Sequence, residues 1–539
     1  MTQTQKNFVK GAAVLGIAGL IVKIIGALFR IPLANVVGTE GMGYYQMAYP
    51  VYTLLLTVST AGLPTAISKL VSERIAHGDY AGAHYTFQVA RRVLLLIGIV
   101  TAILMFALAR PISNLQATPP AMYSLMAISP ALFFVSVMSA YRGYFQGMQN
   151  MTPTALSQLV EQAGKLVIGL SLAYVMLERT GNPAFGAMGA LIGVTIAEAV
   201  ALFYMIGVYG RRKNEILANI PQLDKDGAKK NFRPIVKQVL LIAIPVTLGA
   251  CVMPIVSALD SVIVSRTLQD IGYAQKEATS MYGVLTGVVN PLINMPAVLS
   301  LALAMSLVPA ISQSSAQGDT ANVKAKSSFG FKLALLVGLP CATGFMLLAQ
   351  PIIMMLYKNV QGSELAMAVM LFQMLSFGVL FLTLVQTMTG ILQGLGKPVL
   401  PVISLAVGAT AKVVVSILLI RVPDINIYGA AAGTICCYAI AAVMDIIFVV
   451  RRSGFSISIV NHIIKPVLAT VVMGVCVYAA YRLVGGYSNT AGVLAAILVG
   501  IVVYAGVLLL TRGLTQLELD MLPGGGRLAK VMKKMRIWK

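Results

Sequence analysis

Residues 11–32 read GAAVLGIAGLIVKIIGALFRIP, an apolar run broken only by the cations Lys23 and Arg30. About 20 apolar residues suffice for a helix to cross a bilayer, so this run predicts a transmembrane helix. Lys23 and Arg30 are seven residues apart, which is two helical turns. Both therefore lie on one face, roughly 10 Å apart along the axis. The run holds no acid. A charge at the membrane centre costs at least about 2.5–3.5 kcal/mol on insertion scales. Either an anion comes to this face, or the cations pair with an acid on another helix or snorkel to an interface.

The same reading extends along the chain. Its 539 residues are 58% hydrophobic and only 11% charged, which excludes a soluble globular fold and fits a polytopic all-α membrane protein. Fourteen spans are expected, at roughly 8–32, 45–70, 92–110, 121–141, 154–177, 185–210, 237–265, 280–312, 329–350, 364–393, 398–420, 428–450, 463–484 and 489–511. The N-terminal run is too long for a signal peptide and lacks a clear cleavage site, so it reads as a retained first helix.

The formal charge is +22, with 40 Lys and Arg residues. With both termini cytoplasmic, 29 of these fall in inner segments, 7 in outer segments and 4 (Lys23, Arg30, Lys165, Lys412) within spans. That asymmetry predicts orientation by the positive-inside rule. The basic clusters at 211–237 and 527–539 then face anionic lipid, and no nucleic acid is needed to explain them. The five cysteines (Cys251, Cys341, Cys436, Cys437, Cys476) fall in spans without metal-ligand spacing, and read as packing residues.

Two halves of the chain echo each other. Pro64-Thr-Ala-Ile-Ser68 closes the second expected span, and Pro309-Ala-Ile-Ser312 the eighth. Gly143-Tyr-Phe-Gln146-Gly147 precedes Lys165, and Gly390-Ile-Leu-Gln393-Gly394 precedes Lys412 at the same interval. Gly189, Gly193 and Arg211-Arg212 match Gly429, Gly433 and Arg451-Arg452. These collinear shifts imply a duplicated six-helix unit, with copies related by an axis along the membrane normal. The expected division is an N-terminal bundle at 1–212, a cytoplasmic linker at 213–236, a C-terminal bundle at 237–452, two extra helices at 453–512 and a basic tail at 513–539.

Ionisable residues inside spans mark candidate sites. Asp260 neutralises one of the first-span cations, coordinates a coupling ion, or pairs with Arg266. Glu161 and Lys165 are four apart in the order that favours an intrahelical ion pair. Lys412 reaches Asp260 or Asp445, or adds to an anion site. Glu198 and Asp445 read mainly as structural. Arg142 stands at an inner boundary, placed to meet a phosphate on entry. Pro291 and Pro296 interrupt the eighth span as a hinge or a static kink. No catalytic constellation, metal cluster, phosphate loop or cofactor motif is present, so the chain reads as a non-enzyme driven by a gradient or the membrane potential.

The strings Gly62-Leu-Pro-Thr-Ala-Ile-Ser-Lys-Leu-Val-Ser-Glu73, Gly78-Asp79, Arg142-Gly-Tyr-Phe-Gln-Gly-Met-Gln-Asn-Met-Thr-Pro153 and Ser157-Gln-Leu-Val-Glu-Gln162 carry a resemblance. The chain resembles the MurJ and SpoVB-type polysaccharide biosynthesis proteins of the multidrug/oligosaccharidyl-lipid/polysaccharide exporter superfamily. The resemblance implies transbilayer movement of a lipid-linked oligosaccharide, above all lipid II, with the head group in a cationic central cavity and the tail near spans 13 and 14. It assigns head-group binding to Lys23 and Arg30, and an ion-linked acid to Asp260. Near Thr57 and Asn290 this chain is neutral where relatives carry cations. Lys412 stands where a sodium site would need an acid, so its ammonium is expected to replace the ion beside Asp260. A monomer in the cell membrane is expected, with anionic lipids and cell-wall synthases as neighbours. A sporulation role or another lipid-linked glycan fits the same residues, and a drug/cation antiporter fits them less well.

Overall fold

A computed structural model describes residues 3–218, 232–511 and 513. The middle of the expected linker and nearly all of the basic tail lie outside the described residues. Every regular element described is helical. Among the described residues, thirteen helices are long and apolar enough to cross a membrane, and the chain is a multi-pass membrane protein. The difference from fourteen lies in α1 (Gln3–Thr60), two helices joined directly at a kink at Gly38, where φ is 70° and ψ −178°. Glycine adopts this left-handed backbone without a Cβ penalty. The result is two arms that correspond to the first two expected spans.

The chain divides into two compact units, residues 1–288 with 420–427, and residues 289–419 with 428–539. The first unit holds α1, α2 (Leu63–Ala76), α3 (Tyr80–Ala107), α4 (Ala109–Leu115), α5 (Ala121–Gly147), α6 (Thr152–Gly164), α7 (Leu170–Thr180), α8 (Pro183–Ala218), α9 (Phe232–Asp270) and α10 (Gln275–Gly283). A π-helical turn at Lys165–Gly169 joins α6 to α7. The inner packing of this unit centres on Phe87, which stacks on Tyr144 at 4.4 Å between ring centroids and meets Tyr141 edge-on.

The second unit holds α11 (Asn290–Ile293), α12 (Met295–Ala316), α13 (Thr320–Leu347), α14 (Ala349–Leu356), α15 (Gly362–Gly394), α16 (Val399–Ile420), α17 (Tyr428–Ser453), α18 (Lys465–Val484) and α19 (Asn489–Leu510). The two extra helices dock on α13. Phe329 and Leu333 pack with Ala469 of α18 and Leu508 of α19. The Tyr504 hydroxyl donates to the Leu336 carbonyl at 3.0 Å, and Ser328 bonds the ring of His462 at 2.9 Å.

Each unit repeats the same local contacts. A methyl group at Gly193 would strike the backbone of Gly169, four residues after Lys165. At Gly433 it would strike Ser416, four residues after Lys412. Gly143 and Gly147 pack on α2, and Gly390 and Gly394 on α12. The structure adds correspondences that the motif search missed. Asp79 caps α3 through the Gly82 amide (2.6 Å), and Asp319 caps α13 through the Asn322 amide (3.0 Å). The latter bond holds the Asp319 carboxyl below its ordinary range. Each capped helix is followed by a short one, α4 and α14, carrying the related strings Ala109-Arg-Pro-Ile112 and Ala349-Gln-Pro-Ile352.

Two details differ from the sequence reading. Pro64 opens α2 instead of closing a span, because Gly62 lies against the Ala243 backbone and the chain restarts there. Its counterpart Pro309 lies inside α12. Lys332, counted with the inner segments, is buried within α13 at 2% exposure and is engaged by a neighbour.

Candidate functional site

Four charged residues of the first unit's spans converge around Glu161 of α6. Glu161 accepts from Lys165 Nζ at 2.6 Å and from Arg142 Nη2 at 3.1 Å. Lys165 also meets Glu198 Oε1 of α8 at 2.8 Å. The Arg142 Nε donates to Ser157 Oγ at 2.9 Å, and Gln162 donates to Glu161 at 3.1 Å. The expected Glu161–Lys165 pair thus exists, as part of a four-membered network. Two cations face two carboxylates, so the network balances its own charge. Glu198 is 1% exposed, and its Oε2 has no donor. Lys165 opens the π-helical turn; the widened backbone there displaces the side-chain register of a regular helix, a feature common at functional positions.

Lys23 and Arg30 lie on the first arm of α1 beside this network. Gly26 shares their face, and its Cβ position falls 3.4 Å from Gln162 Oε1. Lys23 is exposed and Arg30 half-buried. Neither forms an ion pair with another of the described residues. Arg30 instead sits over the Tyr49 ring of the second arm, 5.8 Å from its centroid, a cation–π contact. Tyr49 stacks on Tyr45 at 5.5 Å and tilts against Tyr52 at 5.8 Å. The spacing of four and three residues puts these rings on one helical face, a signal present in the sequence that the charge-based reading passed over.

Arg142, expected to await a phosphate, is occupied by Glu161 and Ser157. Asp260 lies on α9 in the first unit and Lys412 on α16 in the second; each is engaged by a neighbour. Beside Asp260, α9 is tied by Ser261 to Gln116 at 2.9 Å and by Ser265 to Thr118 at 3.1 Å. Pro291 and Pro296 each start a new helical segment, α11 and α12, directly after the π-helical turn Val284–Val289. They follow the division between the units by only a few residues. The Asn294 side chain donates to the Asn290 carbonyl at 2.8 Å within this break.

A family model described as polysaccharide biosynthesis protein matches residues 8–315, and a MatE model matches residues 245–418. Three Bacillus subtilis (strain 168) proteins are similar along most of their length. They are the uncharacterized membrane protein YabM (27% identity, covering 97% of this chain and 96% of that protein), the lipid II flippase MurJ (26%, 87% and 88%) and stage V sporulation protein B (27%, 97% and 99%). Among solved structures, the lipid II flippase MurJ in an inward closed conformation superposes with TM-score 0.66 at 18% identity, covering 92% of this chain and 98% of that one. An inward-facing MATE family transporter gives 0.64 at 14%, covering 80% and 94%. The shared fold is therefore that of these transporters. The chain belongs to the polysaccharide biosynthesis protein family, within the multidrug/oligosaccharidyl-lipid/polysaccharide exporter superfamily.

Proposed function

We propose that this protein moves an undecaprenyl-pyrophosphate-linked cell-wall precursor, lipid II, from the inner to the outer leaflet by alternating access. The observation that carries the reading is the pairing pattern of the first unit. Arg142, Lys165, Glu161 and Glu198 neutralise one another, while Lys23 and Arg30 share a face with no carboxylate bound to either among the described residues. A diphosphate supplies the anion that this face lacks. Charge-assisted hydrogen bonds to phosphate are among the strongest available, and they replace hydration that the group loses on leaving water. The half-buried Tyr49 ring beside Arg30 is suited to a sugar, with Tyr45 and Tyr52 buried behind it as support. A cationic drug would meet the wrong sign of charge here.

Similarity to proteins named lipid II flippase and stage V sporulation protein supports a lipid-linked substrate. The Asn290–Pro296 break and the Gly38 turn supply candidate hinges, with two bundles and two added helices as the moving parts. Arg142 enters this reading as the residue that fixes Glu161, Lys412 as a second-unit contact to substrate, and Asp260 as a charge partner or ion ligand.

The test is transfer of fluorescent lipid II across proteoliposome membranes by purified protein. Lys23→Ala and Arg30→Ala are expected to lower the rate at least tenfold, the double variant to abolish it, and Arg30→Lys to retain part. Wild-type rates in the double variant, at equal incorporation, would overturn the assignment of the head-group face.

A further inference from the structure

The second unit contains a buried acid that the transport reading does not use. Asp445 of α17 is fully buried, and among the described residues neither carboxylate oxygen has a hydrogen-bond partner. No Lys, Arg or His among the described residues comes within ion-pair distance of it. The hydroxyls of Thr389 on α15 and Ser404 on α16 face the carboxylate, but the Ser404 proton goes to the Leu400 carbonyl at 3.2 Å. One turn before Thr389, on the same face of α15, the Gln386 amide oxygen is also buried without a donor. Buried acceptors outnumber donors here: three oxygens stand unpaired, and of the two hydroxyls facing the carboxylate the Ser404 one is bonded elsewhere.

The neighbouring charges stand off from the carboxylate. Lys332 on α13 is engaged by a neighbour, Lys412 lies eight residues beyond Ser404 on α16, and Arg451 and Arg452 end α17. Thr389 lies eight residues before Lys397, Ser404 seven after it, and Asp445 six before Arg451. All three thus sit about 9–12 Å from the same end of the helices.

We infer that Asp445 is a proton-binding site of the second unit. An isolated carboxylate in this setting gains more from protonation than from keeping its charge. The acid form has an O–H that donates to the Thr389 or Ser404 hydroxyl oxygen, and its carbonyl oxygen carries no net charge. Release of the proton to water leaves a carboxylate that must be hydrated, so the two states favour different packing of α15, α16 and α17. Proton binding stands apart from the lipid II reading; its use as a coupling ion rests on that reading.

Infrared difference spectroscopy on the full chain in lipid vesicles tests this without any substrate. The wild type is expected to show a protonated-carboxyl stretch that appears as pH falls, and Asp445→Asn to lose that band entirely. Asp445→Glu should retain a shifted band, which guards against a folding defect in the amide variant. Identical spectra for wild type and Asp445→Asn would overturn the proposal. So would a band that sodium chloride removes at fixed pH, since the occupant would then be an alkali ion.

Discussion

At the scale of single residues, the buried quartet decides what remains free. Lys165 holds two carboxylates at once, at 2.6 and 2.8 Å, and its side chain is only 10% exposed. Removing one partner of a buried pair leaves an uncompensated charge, at a cost of about 3–5 kcal/mol. Lys165→Met is expected to lose stability on that order, because Glu198 has no other cation among the described residues, and thermal unfolding in detergent measures it. Adding Glu198→Gln should restore most of the loss. The intrahelical half of this quartet was legible in the sequence, since Glu161 and Lys165 are four apart on one span. Glu198 was not, because its approach to Lys165 depends on how α8 packs against α6, which no local spacing encodes. Arg142 shows the same limit: its position at a helix end suits a phosphate, and only the fold supplies the carboxylate that takes it.

At the scale of elements, the helices are held together where glycine lets backbones touch. Gly193 lies directly on Gly169, and Gly433 repeats the contact on Ser416. Backbone cannot yield as a long side chain can, so overpacking here costs about 1–3 kcal/mol. Gly193→Ala is expected to lower the unfolding temperature, while Gly207→Ala, with nothing within 4 Å, leaves it unchanged; differential scanning of the two variants checks the contrast. Helix existence was readable from hydropathy along the whole chain. Helix ends were less so. Tyr80–Ala107 begins twelve residues before its expected span, since the polar Asp79 cap and the buried ring of Phe87 extend the helix beyond its apolar stretch. The division of α1 at Gly38 was anticipated as a gap between two apolar runs, but hydropathy alone did not reveal that the gap closes to a kink at one glycine.

At the scale of the whole molecule, the duplication is the property most visible in the sequence. Short strings at nearly constant offsets pointed to a repeated unit, and Gly193 and Gly433 each meet the backbone four residues after Lys165 and Lys412. The Gly-Asp caps at 78–79 and 318–319 were missed as a pair because two residues are too few to stand out without a fold to align them. The compact units divide at Val288 and Val289, next to the Pro291–Pro296 break, so a bend there would alter the chain between units without unpacking either.

The self-neutralised quartet has an electrical consequence. The four charges of the quartet cancel and feel no net force from the membrane field, so on the first arm of α1 the field acts on Lys23 and Arg30. On the proposed reading, the empty carrier bears two positive charges on that arm and the loaded carrier close to none. An inside-negative potential acts on each elementary charge with about 2.3 kcal/mol per 100 mV. It therefore draws the unloaded arm back toward the inner face and leaves the outward, loaded stroke almost unopposed. Collapsing the potential with valinomycin and potassium in proteoliposomes should slow repeated turnover by wild type while sparing a single loaded stroke, which pre-steady-state lipid transfer would resolve.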